Sequence, residues 1–96
     1  MSGVTIYTGM LCGYCAAAKR LLEQKGVTFD EIDVTFNREA RAEMAERALG
    51  ATSVPQIFIA DRHIGGCDEL FALEENAELN TLLNDAGGGG RQDAVE

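Results

Sequence analysis

Two cysteines separated by two residues, Cys12-Gly13-Tyr14-Cys15, are the side chains of this sequence best suited to do chemistry. In a reducing compartment that spacing points to redox or metal chemistry rather than to a structural crosslink. The redox reading needs one sulfur as nucleophile, and the nucleophile is the thiolate. A free thiol titrates at about 8.5, and a helix N-terminus lowers that by one to several units. Unpaired backbone N–H groups and the helix dipole favour an anion there. The first cysteine of such a pair then attacks a disulfide, a mixed disulfide forms, and the second cysteine resolves it.

The metal reading draws on the third cysteine. Cys67 and His63 complete a Cys₃His set with the first pair, but about fifty residues separate the two halves, much more than compact zinc modules use. Three is also an odd count of cysteines, where a small secreted domain stapled by disulfides carries an even one.

The surrounding pattern supplies the elements that position Cys12. Val4-Thr5-Ile6-Tyr7 is a short β-prone run ending at Thr8-Gly9, and residues 15–25 form a helix with Ala18, Leu21, Leu22 and Lys25 at helical spacing, stopped by Gly26. Cys12 therefore follows a strand and sits just ahead of a helix, with Cys15 one turn in and more buried. Residues 27–34 read as a second strand, but Val27 and Phe29 are out of phase with Ile32 and Val34, which predicts a slip or bulge. A second helix is expected over 38–49, with Ala40, Met44 and Ala48 on one stripe, Ala45 and Leu49 beside it, and Gly50 as its stop. Residues 54–59 read as a buried strand entered through Pro55, and Asp61-Arg62 as a tight turn into His63-Ile64. After Gly65-Gly66, Asp68 can cap a short helix through Leu73, and Leu79, Leu82 and Leu83 give the apolar face of a last one.

The resulting order, β-α-β-α-β-β-α, is an α/β domain: a four-stranded mixed sheet with helices on both faces. Residues 1–86 form that domain. Residues 87–96, four glycines and a polar end, have nothing to bury and are expected to be disordered.

Composition narrows the function classes. A formal net charge of −8 argues against a nucleic-acid partner, which needs clustered Lys and Arg. No run is apolar enough to span a bilayer, and residues 1–7 lack the pattern of a secretory signal, so a cytoplasmic protein is expected. Met44 reads as core, His63 as a turn or strand residue, and Glu69, Glu74, Glu75 and Glu78 as a solvated face.

With Cys-x-x-Cys, Ser53-Val54-Pro55-Gln56 and Gly65-Gly66-Cys67-Asp68 at these separations, the sequence resembles bacterial dithiol glutaredoxins of the thioredoxin fold over roughly residues 3 to 85. The resemblance implies glutathione-dependent thiol–disulfide oxidoreduction, with Cys12 the nucleophile, Cys15 the resolving thiol and glutathione the electron donor. It places a cis proline at Pro55, with the backbone of Val54 beside Ser53 pairing the cysteinyl part of glutathione. It assigns Gly66, Cys67 and Asp68 to the γ-glutamyl end, Tyr14 to a place beside the ligand, and Arg41 to its glycyl carboxylate. Two glycines permit close backbone approach, and an exposed Asp pairs an ammonium. Cys67 is expected to line the site rather than act as a second catalyst. The implied partners are glutathione and disulfide-containing or glutathionylated proteins, with the chain a monomer.

Two positions depart from the family pattern. Gly13 stands where proline is frequent, and Gly9 where a basic residue is common. Members without that proline more often hold a [2Fe-2S] cluster between two subunits, ligated by the first cysteine and glutathione. The resemblance thus carries an alternative function, a dimeric cluster carrier or sensor with Cys12 as ligand.

Overall fold

The computed structural model describes residues 3–85. The proposed tail at 87–96 lies outside the described residues. Four strands, β1 (Val4–Thr8), β2 (Asp30–Asp33), β3 (Gln56–Ile59) and β4 (Arg62–Gly65), form one sheet in the order β2-β1-β3-β4. β1 pairs parallel with β2 and antiparallel with β3, and β3 pairs antiparallel with β4. Helices α1 (Gly13–Gln24), α2 (Arg38–Arg47), α3 (Cys67–Glu75) and α4 (Leu79–Asp85) complete the chain. The two helices expected after β4 are α3 and α4, parted at Ala77, which takes a left-handed φ of 62°, so the element order ends in two helices rather than one.

Alternation along the central strands divides the core into two layers. Val4 and Ile6 of β1 and Ile57 and Ile59 of β3 meet Ala18, Leu21 and Leu22 of α1, Leu70 of α3, and Leu79 and Leu83 of α4. Tyr7 and Phe58 point the other way, onto Ala40, Met44 and Ala48 around α2. Each fully buried Leu, Ile or Phe side chain stabilises the fold by roughly 1.5–3 kcal/mol, so the first layer dominates. The second layer is thin in aliphatic surface, and Arg47 covers it: its guanidinium lies 4.2 Å from the Phe58 ring centroid and donates to the Tyr7 hydroxyl at 2.9 Å.

The segment around β2 corrects an expectation. No slip occurs, since its pairing with β1 runs unbroken from Thr5↔Asp30 to Thr8↔Asp33. Val27 and Phe29 belong to the first layer and Ile32 and Val34 to the second, so the two pairs are out of phase because they serve opposite faces. The sheet's register shift lies between β3 and β4, at Ile57/Phe58.

Leu49 also departs from its expected place on an apolar helix face. It is 90% exposed at a φ of 59°, and Gly50 N–H donates to Ala45 O at 2.7 Å. That bond closes α2 in a Schellman turn, with Leu49 at the left-handed position glycine usually fills. The turn into β4 is made by Ala60 and Asp61, both at positive φ, one residue earlier than expected; Arg62 already belongs to the strand.

Candidate active site

Cys12 is the N-cap residue of α1. Its backbone is extended, and its sulfur accepts the N–H of Cys15 at 3.0 Å, the position a Ser or Asp oxygen usually takes at a helix start. The reactive atom of the pair is therefore also the capping acceptor. Once reduced, the sulfur faces an N–H donor at the positive end of a twelve-residue helix, which favours charge on it. In the structure Cys12 and Cys15 form a disulfide, with Cα atoms 5.2 Å apart. Cys15 is 2% exposed and Cys12 partly exposed, so an incoming disulfide meets Cys12.

The loop ahead of β3 comes up against this sulfur. Val54 O lies 3.9 Å from Cys12 Sγ, and the Val54–Pro55 bond is cis. A cleft of about 220 Å³ opens here, lined by Tyr14, Ser53, Val54, Pro55, Gly66, Cys67, Asp68 and Glu69. Seven of the eight residues assigned to glutathione thus line one cleft. Arg41 does not line it: its guanidinium donates to Thr52 O at 3.0 Å, one residue before Ser53.

Asp68 is not the cap of α3, contrary to the sequence expectation. Gly66 occupies the N-cap, and Glu69 reaches back so that its Oε1 accepts the Gly66 N–H at 2.7 Å. Asp68 stands exposed in the first turn, its carboxylate not committed to capping. The Glu69 interaction is half of a capping box, legible as an acidic residue three positions after the cap. Glu69 makes this bond while staying on the exposed face, whereas Glu74, paired with Lys25 at 2.6 Å, is only partly exposed. Gly65 has a φ of 117°, and a Cβ there would lie 3.0 Å from the Glu69 side chain. A glycine at this position therefore lets Glu69 fold over the turn.

Cys67 is a free, partly buried thiol. Burial first, then the neighbouring Asp68 and Glu69 carboxylates, push its pKa up. A raised pKa keeps it a thiol at neutral pH, unsuited to attack disulfides.

The two glycine departures differ in surroundings. A Cβ at Gly13 would meet nothing within 4 Å, whereas one at Gly9 would lie 3.2 Å from Val54 Cγ2. A side chain at position 9 requires Val54, part of the cleft wall, to give by a few tenths of an ångström. Sequence reasoning also missed Thr35, whose hydroxyl accepts Met10 N–H at 2.7 Å and ties the loop before Cys12 to the loop after β2.

Fold and site together define a thioredoxin-fold protein with a dithiol at a helix N-terminus. The glutaredoxin family model matches residues 4–64, and the chain belongs to that family. A glutaredoxin of Pseudomonas aeruginosa is 51% identical over 84 residues, covering 88% of this chain and 99% of the relative. The solution structure of a Brucella melitensis glutaredoxin is 53% identical with a TM-score of 0.74, covering 86% of this chain and 89% of that one. A crystal structure of a buckwheat glutaredoxin–glutathione complex is 26% identical with a TM-score of 0.84, covering 93% of this chain and 83% of that one. Membership of the family makes the chain a thiol oxidoreductase.

Proposed function

We propose that the chain is a glutathione-dependent thiol–disulfide oxidoreductase of the cytoplasm that reduces both glutathione mixed disulfides and protein disulfides. The observation that carries this reading is the placement of Cys12 Sγ. It caps α1, leads a pair whose other member is enclosed, and adjoins a cleft with a carboxylate at Asp68 and a peptide edge at Val54. The likeness to a glutaredoxin solved with glutathione supports glutathione as the ligand of that cleft.

On a glutathionylated protein, the Cys12 thiolate attacks the glutathione sulfur. The protein thiolate leaves and takes a proton, and glutathione remains on Cys12. A second glutathione thiolate then attacks that sulfur, releasing glutathione disulfide and restoring the Cys12 thiolate. On a protein disulfide, Cys12 attacks one sulfur and the other leaves as a thiolate. Cys15 then attacks the Cys12 sulfur, frees the second protein thiol and forms the Cys12–Cys15 disulfide, which two glutathiones reduce. Asp68 pairs the γ-glutamyl ammonium, and the Val54 backbone aligns the cysteinyl segment so that its sulfur lies in line with Cys12.

A glutathione-coupled assay tests the roles. Cys12→Ser should abolish turnover of every disulfide. Cys15→Ser should keep turnover of a small glutathione mixed disulfide and lose most protein-disulfide reduction. Equal loss in both variants on the small substrate contradicts the assignment.

The cluster-holding alternative requires four sulfur ligands. The cysteine pair offers one partly exposed sulfur, Cys12, so a cluster needs two chains and two glutathione thiolates. The open space around Gly13 is the feature in its favour. The wild-type preparation, treated anaerobically with iron, sulfide and glutathione, answers this in the same series: a coloured dimer supports it and a colourless monomer rejects it.

A further inference from the structure

The Val54–Pro55 segment, on which glutathione recognition depends, lies outside the sheet. The pairing of β3 with β1 stops at Gln56, opposite Tyr7. Something other than the strand ladder must therefore fix the height and tilt of the Val54 peptide against Cys12.

Gln56 is 4% exposed, and its amide makes three close contacts. Nε2 donates to Ser53 O at 3.0 Å and lies 3.3 Å from Ser53 Oγ, while Oε1 is 2.7 Å from His63 Nε2. The orientation follows from chemistry. A backbone carbonyl only accepts, so the amide NH₂ faces Ser53 and its oxygen faces the imidazole. His63 Nε2 must then carry the hydrogen. The imidazole is itself held against the Phe58 ring, with centroids 5.1 Å apart. A chain of hydrogen bonds thus runs from β4 through Gln56 to the residue before Val54.

We infer that Gln56 is a positioning residue for glutathione recognition: braced by His63, its buried amide holds the Ser53 carbonyl and so sets the Val54 peptide that pairs with the substrate. The inference rests on the reading of the cleft as a glutathione site. It assigns Gln56 no contact with the substrate and no part in the attack of Cys12. Loss of the brace therefore weakens binding of a glutathionyl substrate and leaves the sulfur chemistry intact.

The test compares two substrates on four proteins: a small glutathionyl mixed disulfide, and a small aromatic disulfide with no peptide portion. Gln56→Leu keeps side-chain bulk and removes both donor and acceptor. His63→Phe keeps the ring on Phe58 and removes only the brace. Tyr7→Phe, which removes the hydroxyl bonded to Arg47 on the same sheet face, is the stability control. For Gln56→Leu, KM for the glutathionyl substrate should rise about tenfold with kcat within about twofold, and the aromatic disulfide rate should hold. His63→Phe should raise that KM by about twofold to threefold. Tyr7→Phe should lower the melting temperature without moving KM.

If the wild type prefers the glutathionyl substrate and both Gln56→Leu and His63→Phe retain its KM, the inference fails alone. Equal loss on both substrates, or a matching KM rise in Tyr7→Phe, also overturns it in favour of a purely structural role. A wild type with no preference for the glutathionyl substrate overturns the glutathione reading, and this inference with it.

Discussion

At the residue scale, the two acidic side chains at the start of α3 divide the work that one residue was expected to do. Glu69 satisfies the Gly66 N–H, which leaves Asp68 available to a ligand. A carboxylate in the first turn also interacts with the helix dipole, worth typically 0.3–1 kcal/mol at an exposed site. A charge-assisted hydrogen bond to an ammonium is worth roughly 1.5–3 kcal/mol. Asp68→Ala should therefore raise KM for a glutathionyl substrate by about tenfold or more while lowering stability only slightly. Kinetics and urea unfolding on the one variant separate the two roles, and unaltered kinetics with reduced stability would return Asp68 to a structural part. Cys67, beside it, should be alkylated at neutral pH more slowly than Cys12 of the reduced protein, because its pKa is raised. Mass mapping after a brief iodoacetamide pulse reads the order.

At the scale of elements, much of the fold was legible because the helices and central strands carry period-true apolar patterns. Ala18, Leu21 and Leu22 on the first helix and Ala40, Met44 and Ala48 on the second fall at helical spacing in the sequence and are all buried. The family resemblance, not local pattern, located the cleft wall at Ser53, Val54 and Pro55 and at Gly66, Cys67 and Asp68. What stayed hidden was set by geometry between segments distant in the chain. Nothing local to Gln56 indicates that its amide meets His63, and nothing in Leu49 signals a left-handed helix end.

The join of β1, β2 and α1 is of the same kind. Thr8, 2% exposed, donates to Glu31 Oε2 at 2.8 Å, and Lys19 pairs with the same oxygen at 3.0 Å. Partial burial pushes the Glu31 pKa up, but the hydrogen bonds from Lys19 and Thr8 outweigh it, so the net shift is downward. A carboxylate with a depressed folded pKa stabilises the fold above its unfolded pKa, and that contribution is lost as pH falls through the folded value. Glu31→Gln should thus be less stable than wild type at pH 7, by up to about 1 kcal/mol for a pair this exposed. The difference should close in acid. Urea midpoints at pH 7 and at about pH 3 test it; a gap that persists in acid would assign the effect to packing.

At the scale of the whole molecule, charge and size together decide how disulfide partners approach. The formal net charge is −8 and the radius of gyration 12.9 Å. The Debye length is about 30 Å at 0.01 M ionic strength and about 8 Å at 0.15 M. An approaching peptide therefore feels the sum of the charges at low salt, and only those near the cleft, chiefly Asp68 and Glu69, at physiological salt. Both fields are negative, so they steer in the same sense but over different ranges. The reduced protein should attack a cationic disulfide peptide faster than an anionic one of matched sequence. Raising the salt should slow the first, speed the second and leave a neutral peptide nearly unchanged. Glu43→Lys, on the exposed side of α2, changes the net charge by two without entering the cleft. It should flatten both salt slopes below about 0.05 M and leave the rates at 0.15 M in place. Stopped-flow rates across that range decide the matter: parallel slopes for the cationic and anionic peptides would show that the charge of the chain does not steer its partners.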